Sequence, residues 1–425
     1  MILKSPAFCW TFFMINNVKN LNVIRLYHNY INTFKGLSTE VWWLALITFI
    51  NRSGTMVIPF LSLYLTEDLK FTFTEVGWVM ASFGLGSVLG TWIGGKLTDS
   101  IGYYKVMVRS LLSTGILFIL LQFTNTFYEV CIGIFLVMVV ADTFRPAMFV
   151  AMSVYSKPEN KTRSVTLIRL AINLGFSAGP AVGGLIIYHL GYAGLFWVDG
   201  VTCIMATLLM IRVLNPRKAK PLDDEKVEMP LSPYRDGPYW IFFLAMVIFS
   251  FIFIQYFSTM PLYYKNIYDL KEFEIGLILA LNGFLIFVFE MPLTYWLENS
   301  RYTKVGLSLF GLILTAVSFL VLIVHPWIGV LFIGILLMTL GEMIGFPFSN
   351  AFAMHRSKRG LKGQYLGMYV MSFSIAHVFG HTAGLQLIDR LGYDITWTIM
   401  VGLGIIGMLL LVLLLRMLVK RNELA

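Results

Sequence analysis

Along this chain polar residues come in short breaks and apolar residues in long runs. Twelve runs can be marked, at roughly 42–65, 74–97, 106–123, 128–154, 165–188, 193–213, 238–264, 273–296, 304–324, 327–353, 364–387 and 393–417. Each is near the about 20 apolar residues that a helix needs to cross a ~30 Å hydrocarbon layer. The pattern therefore predicts an all-α membrane protein with twelve transmembrane helices. Trp42 and Trp43 open the first run, where an interfacial aromatic belt would place them. Between the sixth and seventh runs, Asn215 to Gly237 carries Arg217, Lys218, Lys220, Asp223, Asp224, Glu225 and four prolines, the composition of a linker.

One break is repeated. The stretch Gly94-Gly95-Lys96-Leu97-Thr98-Asp99-Ser100-Ile101-Gly102-Tyr103-Tyr104-Lys105 follows the second run, and a shift of 199 positions carries Asp99 onto Glu298, Tyr103 onto Tyr302, Lys105 onto Lys304 and Val106 onto Val305. Glu75 and Gly77 fall on Glu274 and Gly276 in the same register. A repeat of that length predicts two related six-helix bundles about a pseudo-twofold axis. The expected divisions are an N-terminal segment 1–40, a first bundle 41–214, a linker 215–237, a second bundle 238–417 and a tail 418–425.

Composition agrees, with 58% hydrophobic and 13% charged residues and a mean hydropathy of +0.76. The net charge of +9 would suggest nucleic acid in a soluble domain, but its distribution changes that picture. With the amino terminus in the cytoplasm, 25 of the 32 Lys and Arg fall on cytoplasmic segments, four outside (Lys70, Lys265, Lys271, Arg390) and three within runs (Arg52, Arg145, Arg169). That is the positive-inside rule, so the expected partner is a lipid bilayer, with both termini cytoplasmic in a cell (inner) membrane. Cys9, Cys131 and Cys203 give neither a disulfide framework nor zinc-ligand spacing. The first 38 residues lack a convincing cleavage site, so no removed signal peptide is expected, and Met14 is an alternative start.

Few polar residues interrupt the runs. Asn51 and Arg52 lie near the middle of the first. A central arginine costs about 2.5–3.5 kcal/mol to insert, so it must face a partner or a wet cavity, either in a transport path or in a structural ion pair. Asp142 and Arg145, three apart in the fourth run and followed by Pro146, share a helical face and can neutralise one another. Asp199 follows Tyr192 and Phe196, which mark an interface, and is expected to be shallow enough to hydrate. Gln255, Glu290 and Glu342 are the buried polar groups of the seventh, eighth and tenth runs. Hydrocarbon favours the neutral form of a carboxyl, so Glu342 is expected to exchange a proton as water access alternates. Its plainer alternative is a permanent ion pair with Arg52 or Arg145. His377 and His381, one turn apart, have the spacing of metal ligands but no evident third ligand. Proton or substrate contact and ordinary polar packing are the readings kept, with no metal and no cofactor expected.

Small residues mark close packing. Gly86, Gly90 and Gly94 flatten one face of the second run, and Ala376, Gly380 and Gly384 do the same in the eleventh. Gly84 to Gly90 also looks like a dinucleotide fingerprint, but it has one residue too many and lies inside an apolar run. In the fifth run Gly175, Gly179 and Gly183 share a stripe, Gly184 follows, and Pro180 removes a backbone donor.

Two of these patterns resemble a known family. Gly95, Leu97, Asp99 and Gly102 match the signature loop of the major facilitator superfamily, Gly-x-Leu-x-Asp-Arg-x-Gly-Arg-Arg/Lys. Ser100, Tyr103 and Tyr104 stand where basic residues are usual, leaving only Lys105 nearby. A solvated turn is the plainer reading. Gly175, Gly179, Pro180, Gly183 and Gly184 resemble the antiporter motif Gly-x-x-x-Gly-Pro-x-x-Gly-Gly of that superfamily, and Arg145 is similar to the intramembrane arginine of its proton-coupled drug antiporters, although Met148 and Phe149 replace the Gln-Gly expected after it. The resemblance implies a central cavity between two bundles, opened alternately to each side. It also implies proton-coupled efflux of small hydrophobic or amphipathic compounds by a monomer. A proton-coupled symporter of peptide-like solutes is the alternative, since Arg52 after Asn51 and Gly341-Glu342 with Pro347 are similar to that family's first and tenth helices. The glutamates that should precede the arginine are Thr48 and Asn51 here. No catalytic constellation or phosphate loop is present, so an enzyme is not expected.

Overall fold

The computed structural model describes residues 32–53, 56–57, 60–61, 64–214, 231–270, 272–323, 327–421 and 423. Cys9, Met14, most of the N-terminal segment and residues 215–230 of the linker lie outside the described residues. The helices in order are α1 (Thr39–Ser53), α2 (Phe73–Ile101), α3 (Tyr103–Leu121), α4 (Phe127–Asp142), α5 (Phe144–Tyr155), α6 (Lys161–Val213), α7 (Gly237–Ser258), α8 (Met260–Tyr268), α9 (Glu272–Glu298), α10 (Lys304–Ile323), α11 (Gly329–Arg356) and α12 (Lys362–Lys420). Among the described residues nine helical segments are long and apolar enough to cross a membrane.

Local chemistry sets the ends. Thr72 and Thr126 cap α2 and α4, and Glu75 and Glu129 complete both capping boxes. The fourth run divides at Thr143, just before Pro146, and the seventh divides at Thr259, just before Pro261. Conversely, α6 joins the fifth and sixth runs. Its 53 residues would measure about 80 Å if straight. Instead it folds back at Gly191 (φ 70°). Gly183 lies against Met56, and Asp199 accepts the Met56 amide at 2.9 Å, although a straight helix would hold the two roughly 24 Å apart. α12 folds back in the same way at Gly392 (φ 79°), so that Gly380 and Gly404 both approach α7 near Ile252 and Ile254.

The glycine faces pack as their spacing predicts. Gly86, Gly90 and Gly94 of α2 lie against the backbone at Phe135, Val139 and Thr143, and Gly311 of α10 meets Gly345 and Gly341 of α11. Two further glycines of α2, Gly84 and Gly95, face Val378 and Gly363 of α12. Thus α2 is one of the helices through which the first half meets the second. The ends of α2, α5, α9 and α11, the starts of α3, α6, α7, α10 and α12, and residues 231–236 gather at one end of the molecule, the basic end.

Candidate functional site between the halves

At the basic end two acids close the seam. Asp99, in the last turn of α2, accepts the amides of Gly363 at 2.6 Å and Gln364 at 2.9 Å in the first turn of α12. Amides in a first turn have no partner within their own helix and carry the positive end of its dipole, so a carboxylate suits them. Glu298, at the end of α9, does the same for α6. It accepts the Thr162 amide at 3.2 Å and pairs with Arg163 Nε at 3.0 Å. The Arg163 guanidinium also donates to the Thr33 and Lys35 carbonyls at 3.2 and 3.1 Å. The 199-residue offset thus has a physical counterpart, a carboxylate of each half capping a helix start in the other. Gly95 lets Gly363 approach, and Gly102 (φ 86°) makes the turn into α3. Leu97 and Lys105 are exposed, and Lys304 is half-buried within electrostatic range of Glu298.

Deeper in the seam lies a buried ionic cluster. Arg169 of α6 donates through Nε to Glu290 Oε1 of α9 at 2.7 Å and through Nη2 to Glu342 Oε1 of α11 at 3.0 Å. Asn282 Nδ2 donates to the other Glu342 oxygen at 3.1 Å and to Thr339 at 3.0 Å. Glu290 is fully buried, and among the described residues its Oε2 has no hydrogen-bond partner. Thr166 and Thr294 join across the seam at 3.1 Å one turn nearer the basic end. A small cleft opens beside the cluster, lined by Leu170, Asn173 and Leu174 of α6 and Gly283, Ile286 and Phe287 of α9. One guanidinium serves two carboxylates, so with both ionised the group carries one surplus negative charge, which a proton or another cation can neutralise.

Several expectations change. Glu342 pairs with Arg169, not with Arg52 or Arg145, because α6 and not α1 or α5 faces α11 at that depth. Arg169 stood out in the sequence only as the third arginine inside an apolar run, and Asn282 gave no signal at all. Asp199 is buried, not hydrated: both its oxygens are occupied by the Met56 and Val57 amides at 2.9–3.0 Å beyond the end of α1. Gln255 bonds the Gly380 carbonyl at 3.0 Å and accepts from Thr259, which makes it a packing contact between α7 and α12. Gly184 has open space around it, so it is not a close-packing position.

Most of the remaining polar set lies in the first half. Arg145 Nε pairs with Asp142 at 2.9 Å, and Ser87 donates to Asp142 while its hydroxyl oxygen lies 3.1 Å from the Ser374 hydroxyl across the seam. Asn51 donates to Cys203 at 3.4 Å, and half-buried Arg52 lies against Gly175 within electrostatic range of Arg145 and Asp142. Gly179 is buried and Gly183 packs on Phe60, so the fifth-run stripe meets the segment that begins with α1. His377 is exposed. The side chains of Pro180 and His381 lie outside the described residues.

The chain is similar to known proteins. The family model described as Major Facilitator Superfamily matches residues 41–307 and 268–424. A Na(+), Li(+), K(+)/H(+) antiporter of Planococcus maritimus is 19% identical over 78% of this chain and 85% of its own length. Multidrug resistance protein 1 of Bacillus subtilis is 23% identical over 79% and 85%. In fold, the crystal structure of the human organic anion transporter MFSD10 (TETRAN) matches with a TM-score of 0.68 at 15% identity, covering 87% of this chain and 98% of that one.

Proposed function

Because the chain belongs to the major facilitator superfamily and is a multi-pass membrane transporter, not an enzyme, we propose that it is a proton-coupled efflux antiporter of small hydrophobic or amphipathic compounds. Residues 41–214 and 238–417 rock as two bodies about the seam, with the basic end in the cytoplasm and both termini on that side. In this conformation the basic end is shut.

The observation that carries this reading is the Arg169–Glu290–Glu342 cluster, whose members come from opposite halves. A proton on one of the two carboxylates removes an attraction that holds the halves together. Proton binding and the access of the cleft are then linked through the same contacts. The named activities of the two bacterial relatives, multidrug resistance and exchange of cations for protons, are in keeping with this chemistry. Exchange of a monovalent metal cation for protons is a second reading, which the surplus charge equally favours.

Proteoliposomes with an acidic lumen test it. Antiport predicts that ethidium added outside enters while the lumen loses protons, whereas symport predicts further acidification. Sodium or potassium in place of ethidium reports the second reading. Glu290→Gln and Glu342→Gln should each abolish the proton flux while sparing ethidium counterflow. Normal pumping by both variants would remove the cluster from the coupling.

A further inference from the structure

Thr33 to Gly36, just ahead of α1, form a turn that the transport chemistry does not use, yet it grips a residue of the seam. The Lys35 amide donates to the Asn32 carbonyl at 3.1 Å, and Gly36 ends the turn with φ 84°. The first half holds it in place. Asn160 Nδ2 donates to the Gly36 carbonyl at 2.7 Å, Ser38 Oγ donates to the Tyr155 carbonyl at 2.7 Å, and the Phe34 and Trp42 rings lie 5.9 Å apart. What the turn holds in return is Arg163, which is buried. Nη1 of its guanidinium donates to the Thr33 and Lys35 carbonyls at 3.2 and 3.1 Å, and Nη2 donates to Asn160 Oδ1. That leaves Nε facing Glu298 Oε2 of the second half at 3.0 Å, with Cζ 4.8 Å from the centre of the Tyr295 ring of the same helix.

Charge alone does not explain this arrangement. Arg163 is the third residue of α6, where a cation meets the positive end of the helix dipole. Glu298 answers the charge, whereas the three neutral oxygens of Thr33, Lys35 and Asn160 mainly orient the group. An arginine left to itself samples many rotamers, and ordering it costs free energy each time a contact forms. The turn and Asn160 travel with Arg163 in the first half, so the guanidinium is already aimed when Glu298 arrives. We propose that residues 33–36 are a strap that sets the lock at the basic end: they keep Arg163 aimed at Glu298, and displacing them favours the conformation open at that end. The proposal rests on the halves parting there, as alternating access requires, and not on which solute is carried.

Hydrogen exchange of the full-length protein in nanodiscs tests this through Gly36→Val. A β-branched residue is strained at φ 84°, and its Cβ would lie 3.1 Å from Asn160 Nδ2, so the turn shifts while Arg163, Asn160 and Glu298 are all retained. The reporters are the Gly363 and Gln364 amides, which Asp99 accepts across the seam and which belong to the other lock. Their exchange should quicken by roughly two- to ten-fold, the range for one long side chain that must be ordered on closure. Glu298→Gln should quicken it at least as much. Gly36→Val added to Glu298→Gln should change little further, because the strap acts through that bond. Should Gly36→Val fail to fold, Gly36→Ala displaces the turn less and carries the same test. No quickening in Glu298→Gln would overturn the lock and the strap together. Quickening there with none in the Gly36 variants, or full additivity in the double variant, would overturn the strap alone.

Discussion

At Arg169 a planar guanidinium answers two carboxylates of the opposite half with different nitrogens, and that fork explains why arginine occupies the position. Removing it leaves two buried acids facing each other. Arg169→Ala should cost about 3–5 kcal/mol, visible as a large fall in thermal stability in detergent. Arg169→Lys keeps the charge but not the fork, and should retain stability better than it retains coupled transport. A second residue-scale prediction concerns Asp236, which starts α7 and accepts from Arg356 and Tyr365 at 2.8 Å. Burial alone would raise its pKa, but the hydrogen bond and charge of Arg356 outweigh that and hold it below the ordinary carboxylate value. A depressed native pKa gives stability that is present above the unfolded value and lost as pH falls through the native one. The contact should thus be unaffected by pH near neutrality and fail only below about pH 4. Asp236→Asn should flatten that acid limb in a pH series of melting temperatures.

Among the helices, α2 has the most demanding surface, since it packs closely on two sides. Gly86, Gly90 and Gly94 accept α4, while Gly84 and Gly95 accept α12. A Cβ at Gly90 would run into the backbone of Val139, and backbone cannot swing aside as a side chain does. Gly90→Val is therefore expected to destabilise by about 1–3 kcal/mol and lower the yield of folded protein. Gly184→Ala is the contrasting case, with nothing near the added methyl. Its melting temperature should match the parent, which would separate the glycines of the fifth-run motif into packing and non-packing positions. Proline and glycine also account for where the rods differ from the apolar runs. A proline just beyond a break divides the fourth and seventh runs, and single left-handed glycines let α6 and α12 turn without ending their apolar pattern.

For the whole molecule, the shut basic end rests on a symmetric exchange. Asp99 reaches from the first half to α12, and Glu298 reaches from the second half to α6. Asp99→Asn with Glu298→Gln keeps the shapes but weakens both charge-assisted bonds. The double variant should populate the conformation open at the basic end, seen as faster exchange at Gly363 and Gln364 and greater access of a water-soluble reagent to a cysteine at Thr166. Each single variant should have a smaller effect, because the other bond remains. Unchanged exchange in the double variant would leave these acids as helix caps without a part in gating.

The sequence by itself determined the solvent and the outline of this protein. Run length against bilayer thickness predicted a helical membrane protein, the basic residues gave an expected sidedness, and the offset from Asp99 to Glu298 pointed to a duplication, because these are properties of a chain read in order. Glycine spacing likewise gave the faces of α2, since a helix repeats every few residues whatever surrounds it. Partners were another matter. That Arg169 meets Glu290 and Glu342, that Asp199 is spent on the amides beyond α1, and that Gly184 faces open space depend on which helices are neighbours and at what depth. Those relations join residues more than a hundred positions apart, so only the packed structure decided them.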